Sequence, residues 1–83
     1  MDKLTLEQKN SLMVEMWMQE NPSTDRVFAL LKQLQDEKAY LLECLVKGNQ
    51  KVRQTIWPQL DQVKKDITEV EWYINILTNT QDN

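Results

Sequence analysis

Residues 60–77 read LDQVKKDITEVEWYINIL, and this stretch decides the fold. Leu60, Val63, Ile67, Val70, Ile74 and Leu77 fall at alternating steps of three and four, the a/d spacing of one apolar stripe along a helix. Ile56 extends the stripe backwards by another step of four. Between these positions Asp61, Gln62, Lys64, Lys65, Asp66, Thr68, Glu69 and Glu71 suit the solvent side. β-Branched residues occupy both classes of seam position, whereas parallel two-stranded coiled coils prefer them at a, with Leu at d. The stripe therefore predicts an antiparallel bundle or a higher assembly rather than a parallel zipper.

Upstream of the stripe, Asn49 is placed to cap a helix running over about 50–78, and Pro58 interrupts it. A proline inside a helix removes one backbone hydrogen bond and crowds the carbonyl four residues earlier, here that of Gln54. Either the helix kinks near Pro58 or a short helix ends at Trp57; Trp57 is a poor N-cap, which favours the kink. Gly48 is read as a left-handed residue ending a preceding helix over about 24–47, capped by Ser23 or Thr24. A seam runs through Val27, Leu31, Leu34, Leu41 and Leu45, with Lys38 snorkelling between them. The two-residue turn makes these long helices antiparallel neighbours.

Further upstream, Thr5 and Gln8 form a capping-box pattern that starts a first helix over about 6–20, ended by Asn21-Pro22. Its Met13, Met16 and Trp17 read as cover for the end where all three helices meet, or as a binding surface, with the core reading preferred. Trp72 and Ile76, off the main stripe, are expected beneath this helix. Val14 and Met18 lie on another face and are candidates for binding a partner. The expected fold is all-α: a single domain over 1–83, an elongated three-helix bundle, with residues 1–4 and 79–83 disordered. The first helix is too short to reach the far end of the hairpin, so Leu42, Val46 and Trp57 should remain uncovered and are candidates for self-association.

The totals narrow the function. A chain of 83 residues forms a core worth only about 3–5 kcal/mol, so it usually needs a staple. A single cysteine excludes an internal disulfide, and without histidine no structural zinc site is expected. Association with another chain is the remaining source of stability. A net charge of −3 argues against nucleic-acid binding, which needs a concentrated basic face. Lys47, Lys51 and Arg53 form the only basic cluster and suit the C-terminal end of a helix dipole. No window approaches the apolar length of a membrane span, and the N-terminal residues lack the apolar core of a signal peptide. A reducing, cytoplasmic setting is expected.

No catalytic constellation is visible. Without histidine there is no Ser-His or Cys-His pair, and one glycine cannot build a phosphate-cradling loop. Asp66, Glu69, Asp61 and Glu43 read as solvated carboxylates rather than an acid pair, and Cys44 as a small core residue. No metal or cofactor is expected, and no enzyme activity. The Leu-rich first arm and the Gly48-Asn49 turn are similar to those of small bacterial secretion chaperones, a resemblance that transfers no individual residues. The expected function is a cytoplasmic adaptor or inhibitor that binds a protein partner, as a homodimer, in a bacterium or a phage. The alternative is a chaperone shielding a secreted or assembling protein, and a nucleic-acid-associated regulator is disfavoured by charge.

Overall fold

The computed structural model describes residues 3–81, and the side chains of residues 3–79. Three helices follow in order: α1 (Leu6–Trp17), α2 (Thr24–Lys47) and α3 (Gln50–Gln81). The long pair α2 and α3 forms an antiparallel hairpin, and α1 lies across one flank of it. The bundle is elongated, as expected: it extends 50 × 24 × 21 Å, with a radius of gyration of 14.6 Å. A compact chain of this length has a radius of gyration of about 12 Å. The long axis is set by α3, since 32 residues at about 1.5 Å each span roughly 48 Å.

Each boundary has a local cause. At the start of α1 the Thr5 hydroxyl accepts from Gln8 N (3.1 Å), while the Gln8 carbonyl oxygen Oε1 accepts from Thr5 N (2.9 Å), completing the capping box. The helix ends at Trp17 rather than near residue 20. Gln19 takes a left-handed φ of 54°, its N–H donating to Met16 O (3.1 Å), and Glu20 N donates to Glu15 O (3.0 Å). These two bonds make a Schellman closure, with glutamine where glycine is usual. Asn21 is also left-handed, at φ 57°. Ser23 holds the N-cap position of α2 but caps through its backbone, Val27 N donating to Ser23 O (3.1 Å), with no side-chain bond.

Gly48 departs from the left-handed expectation. Its φ of −84° and ψ of 158° are extended, a conformation open to any residue. What requires glycine here is space: a Cβ would sit 2.7 Å from Val52 Cγ1 and 2.8 Å from the Cys44 carbonyl oxygen. Asn49 caps α3 through Oδ1, which accepts from Val52 N (2.9 Å). The neighbouring end of α2 is closed by Arg53, whose Nε donates to Leu45 O (3.0 Å), and Lys47 pairs with Glu43 (2.7 Å). Of the basic cluster, Arg53 thus serves the helix end, in keeping with the dipole, while Lys47 is paired on the helix surface.

α3 runs unbroken through Pro58, so no short helix ends at Trp57. In the turns around it Thr55 Oγ1 donates to Lys51 O (3.3 Å) and Gln59 Nε2 to Thr55 O (3.2 Å). The helix continues to Gln81, three residues past the expected end, so residues 79–81 are helical rather than disordered. At the other terminus Leu4 is also ordered. It packs on the core, and its peptide is clamped by the Gln33 amide, which accepts from Leu4 N (2.8 Å) and donates to Leu4 O (3.1 Å). Residues 1, 2, 82 and 83, also expected to be disordered, lie outside the described residues.

The core divides in two along the long axis. The larger cluster joins Leu12, Met13 and Met16 of α1 with Val27, Leu30 and Leu34 of α2 and Val70 and Tyr73 of α3. The smaller contains Leu41, Ile56, Leu60 and Val63, from α2 and α3 alone. Ile67 packs against both. At about 0.8 kcal/mol per buried CH₂, each cluster is a substantial part of the stability of so small a domain.

Candidate protein-interaction surfaces

Two flanks of the hairpin differ in what covers them, and helical geometry separates them. On α2, Gln33 meets the segment leading into α1; on α3, Asp66 meets α1 through Lys9. Leu42 follows Gln33 by nine residues, and Trp57 precedes Asp66 by nine. Nine residues are two and a half turns at about 3.6 per turn, so Leu42 and Trp57 both face away from α1. Val46 lies one turn beyond Leu42 on the same side. The antiparallel register that packs Leu41 against Ile56 and Leu60 also brings the Leu42 and Trp57 levels together.

All three candidates for self-association are exposed: Leu42 by 40%, Val46 by 76% and Trp57 by 48%. α1 has only 12 residues, about 18 Å of helix, and packs at the other end of the hairpin. The smaller core cluster therefore has two helices around it and an apolar, open flank. Val52 is also exposed at this end. Cys44 is half-buried against the small cluster, one turn from Tyr40. The neighbouring Cys44 thiol, as a hydrogen-bonding group and then through its charge, chiefly holds the exposed Tyr40 phenol above its ordinary value, with smaller contributions from desolvation and the charge of Glu43.

The second candidate surface is on α1. Val14 and Met18 are exposed, by 44% and 64%. Met13 and Met16 are buried, as the core reading had it, but Trp17 is 55% exposed. Trp17 stands beside Met16 on the last turn, where the chain leaves the helix and no neighbour follows to cover an indole. Trp72 is also half-exposed rather than beneath α1, and Phe28 is exposed at the same end of the hairpin. The place expected for Trp72 is taken by Tyr73, only 2% exposed and packed against α1.

Asp66 corrects the sequence reading further. It is 7% exposed, not solvated; Lys9 Nζ lies 3.2 Å from Oδ2, and Gln62 Nε2 donates to Oδ1 at 3.0 Å. The side chains of Lys9 and Asp66 are 16% and 10% exposed, so the pair is largely removed from water. It joins α1 to α3 rather than forming an acid–base couple. Among the described residues no group of His, Cys, Asp and Glu is arranged to hold a metal ion. No described helix is long and apolar enough to cross a membrane.

Comparison with protein-family models, with curated proteins and with solved structures finds no match for this chain.

Proposed function

We propose that the chain is a non-enzymatic protein-interaction module that works as a homodimer, an adaptor or inhibitor in the cytoplasm. The observation that carries this reading is the exposed set Leu42, Val46 and Trp57, gathered on the flank of the hairpin opposite α1. The accessible surface of the chain is 6193 Å², about 1000 Å² more than the roughly 5200 Å² expected of a compact protein of this mass. A standard interface takes about 800 Å² from each partner. The excess surface of the elongated bundle is therefore of the size that one two-fold contact removes.

Two hairpins laid together on this flank form a four-helix bundle around the small core clusters, under the commonest closed symmetry. Each copy then supplies the third and fourth helices that the other lacks. Sedimentation equilibrium tests the reading on the parent and on Leu42→Glu and Val46→Glu. The expected result is a dimer that both substitutions dissociate, because each places a charge in the apolar contact. A parent that stays monomeric at high micromolar concentration refutes it, as does a dimer indifferent to both changes.

A further inference from the structure

We propose that the outer face of α1 docks a basic amphipathic helix of the partner protein. This rests on the reading of the chain as a protein-interaction module and names the chemistry of what it binds. α1 has two apolar stripes. Lys9, Leu12, Met13 and Met16 turn inward, to Asp66 and the larger core cluster. Leu6, Asn10, Val14 and Trp17 follow one another at steps of four, four and three, and all are exposed. Met18 stands one turn beyond Val14. This outer face is open and nearly flat, formed by Leu6, Glu7, Asn10, Ser11, Val14 and Glu15 of the one helix.

The stripe has the period of a helix–helix seam, and about 18 Å of it is available, enough for three turns of a facing helix. Asn10, polar and near the middle of an apolar seam, is the type of residue that fixes register at some cost in affinity. Met18 adds a flexible, polarizable contact.

Charge decides the occupant. From Leu6 to Glu20 the only cation is Lys9, and its ammonium is engaged with Asp66 on the inner side. The outward charges are Glu7, Glu15 and Glu20. Glu15 shares Arg26 of α2 at 3.4 Å, while Glu7 and Glu20 form no ion pair among the described residues. An acidic margin around an apolar seam selects a helix with Lys or Arg flanking its apolar positions. It disfavours the same face of a second copy, where glutamates would oppose glutamates. It also disfavours nucleic acid and anionic lipid.

Two synthetic helical peptides test this. Both carry leucine at the seam positions with one central asparagine; one has lysine at the flanks, the other glutamate. Each is titrated into the isotope-labelled full chain and followed by amide chemical shifts. The lysine peptide is expected to bind, with shifts concentrated in residues 6–18 and affinity falling as salt is raised. The glutamate peptide is expected to bind about tenfold or more weakly, since like charges then face each other. Glu7→Lys combined with Glu20→Lys should reverse that preference. Val14→Asp should abolish binding while helicity and sedimentation behaviour stay as in the parent.

Equal binding of both peptides overturns the inference, as do shifts centred on Leu42, Val46 and Trp57, or binding indifferent to Val14→Asp. A dimer lost in Val14→Asp places a second copy on this face and overturns it too. A monomeric parent that still binds the lysine peptide along α1 refutes the homodimer and supports the docking face, so the two readings fail separately.

Discussion

Lys9 and Asp66 offer the sharpest energetic test, because one buried ion pair fixes α1 to α3. Consider Lys9→Met, which keeps the volume of the side chain and removes its charge. At 3.2 Å and an effective dielectric of 20, the attraction between the charges is about 5 kcal/mol. Desolvation of the two ions offsets most of this, so the intact pair contributes little net stability. Breaking it is different, since Asp66 is left largely buried with the Gln62 amide as its one remaining side-chain partner among the described residues. Such losses run to about 3–5 kcal/mol. With Gln62 retained and the edge of the site reachable by water, we expect about 2–4 kcal/mol for Lys9→Met.

Asp66→Leu should cost less, because the flexible lysine can carry its ammonium to solvent. The double variant Lys9→Met/Asp66→Leu should return to within about 1 kcal/mol of the parent, as replacement of buried pairs by apolar side chains often does. Urea unfolding followed by far-UV circular dichroism gives the three differences, and their cycle gives the coupling. If both single variants lie within about 0.5 kcal/mol of the parent and the coupling is zero, the pair is solvated. The docking of α1 would then have to rest on Leu12, Met13 and Met16 alone.

Further substitutions test the rest of the frame. Ile67→Asp sets an unpaired charge between the two core clusters and should cost several kcal/mol, enough to remove most helicity; a variant as helical and heat-stable as the parent would mean that the stripe is not the core. Gln19→Gly relieves a left-handed glutamine and should raise stability by about 0.5–1 kcal/mol, read as a higher urea midpoint at unchanged slope. Gly48→Ala should lower stability by about 1–3 kcal/mol through overpacking against Val52 and the Cys44 carbonyl, whereas a neutral result would show that the turn gives way freely. Gln33→Leu unclamps Leu4 and should cost about 1–2 kcal/mol, with faster amide exchange at Leu4.

The long hairpin could be read from the sequence because a stripe from Ile56 to Leu77 has one interpretation as a helix, and a Gly-Asn turn then folds its neighbour back on it. The open flank at Leu42, Val46 and Trp57 was legible for a related reason: the length of α1 is bounded, and apolar residues beyond its reach stay uncovered. Asp66 was missed because a carboxylate one residue before Ile67 resembles any solvated flank. The signal was present in pairs, not singly. Lys9 falls one helical step before Leu12 and Met13, and Asp66 one step before Val70 and two before Tyr73, so opposite charges each open a run of core residues on facing seams. The exposure of Trp17 and Trp72 was hidden for the opposite reason, since apolarity alone does not say on which side of a helix end the neighbour lies. Gln19 gave no warning of a left-handed backbone, because glutamine has no preference for it; the closing bonds to Glu15 and Met16 impose it.

The proposed contact across the open flank is tested most directly by nuclear Overhauser effects between copies, in a sample mixing isotope-labelled and unlabelled chains. The expected result is intermolecular effects linking the Leu42 and Val46 methyl groups of one copy to the Trp57 indole of its partner, under conditions where sedimentation shows a dimer. Intermolecular effects confined to α1, or none in a sample shown to be dimeric, would contradict it.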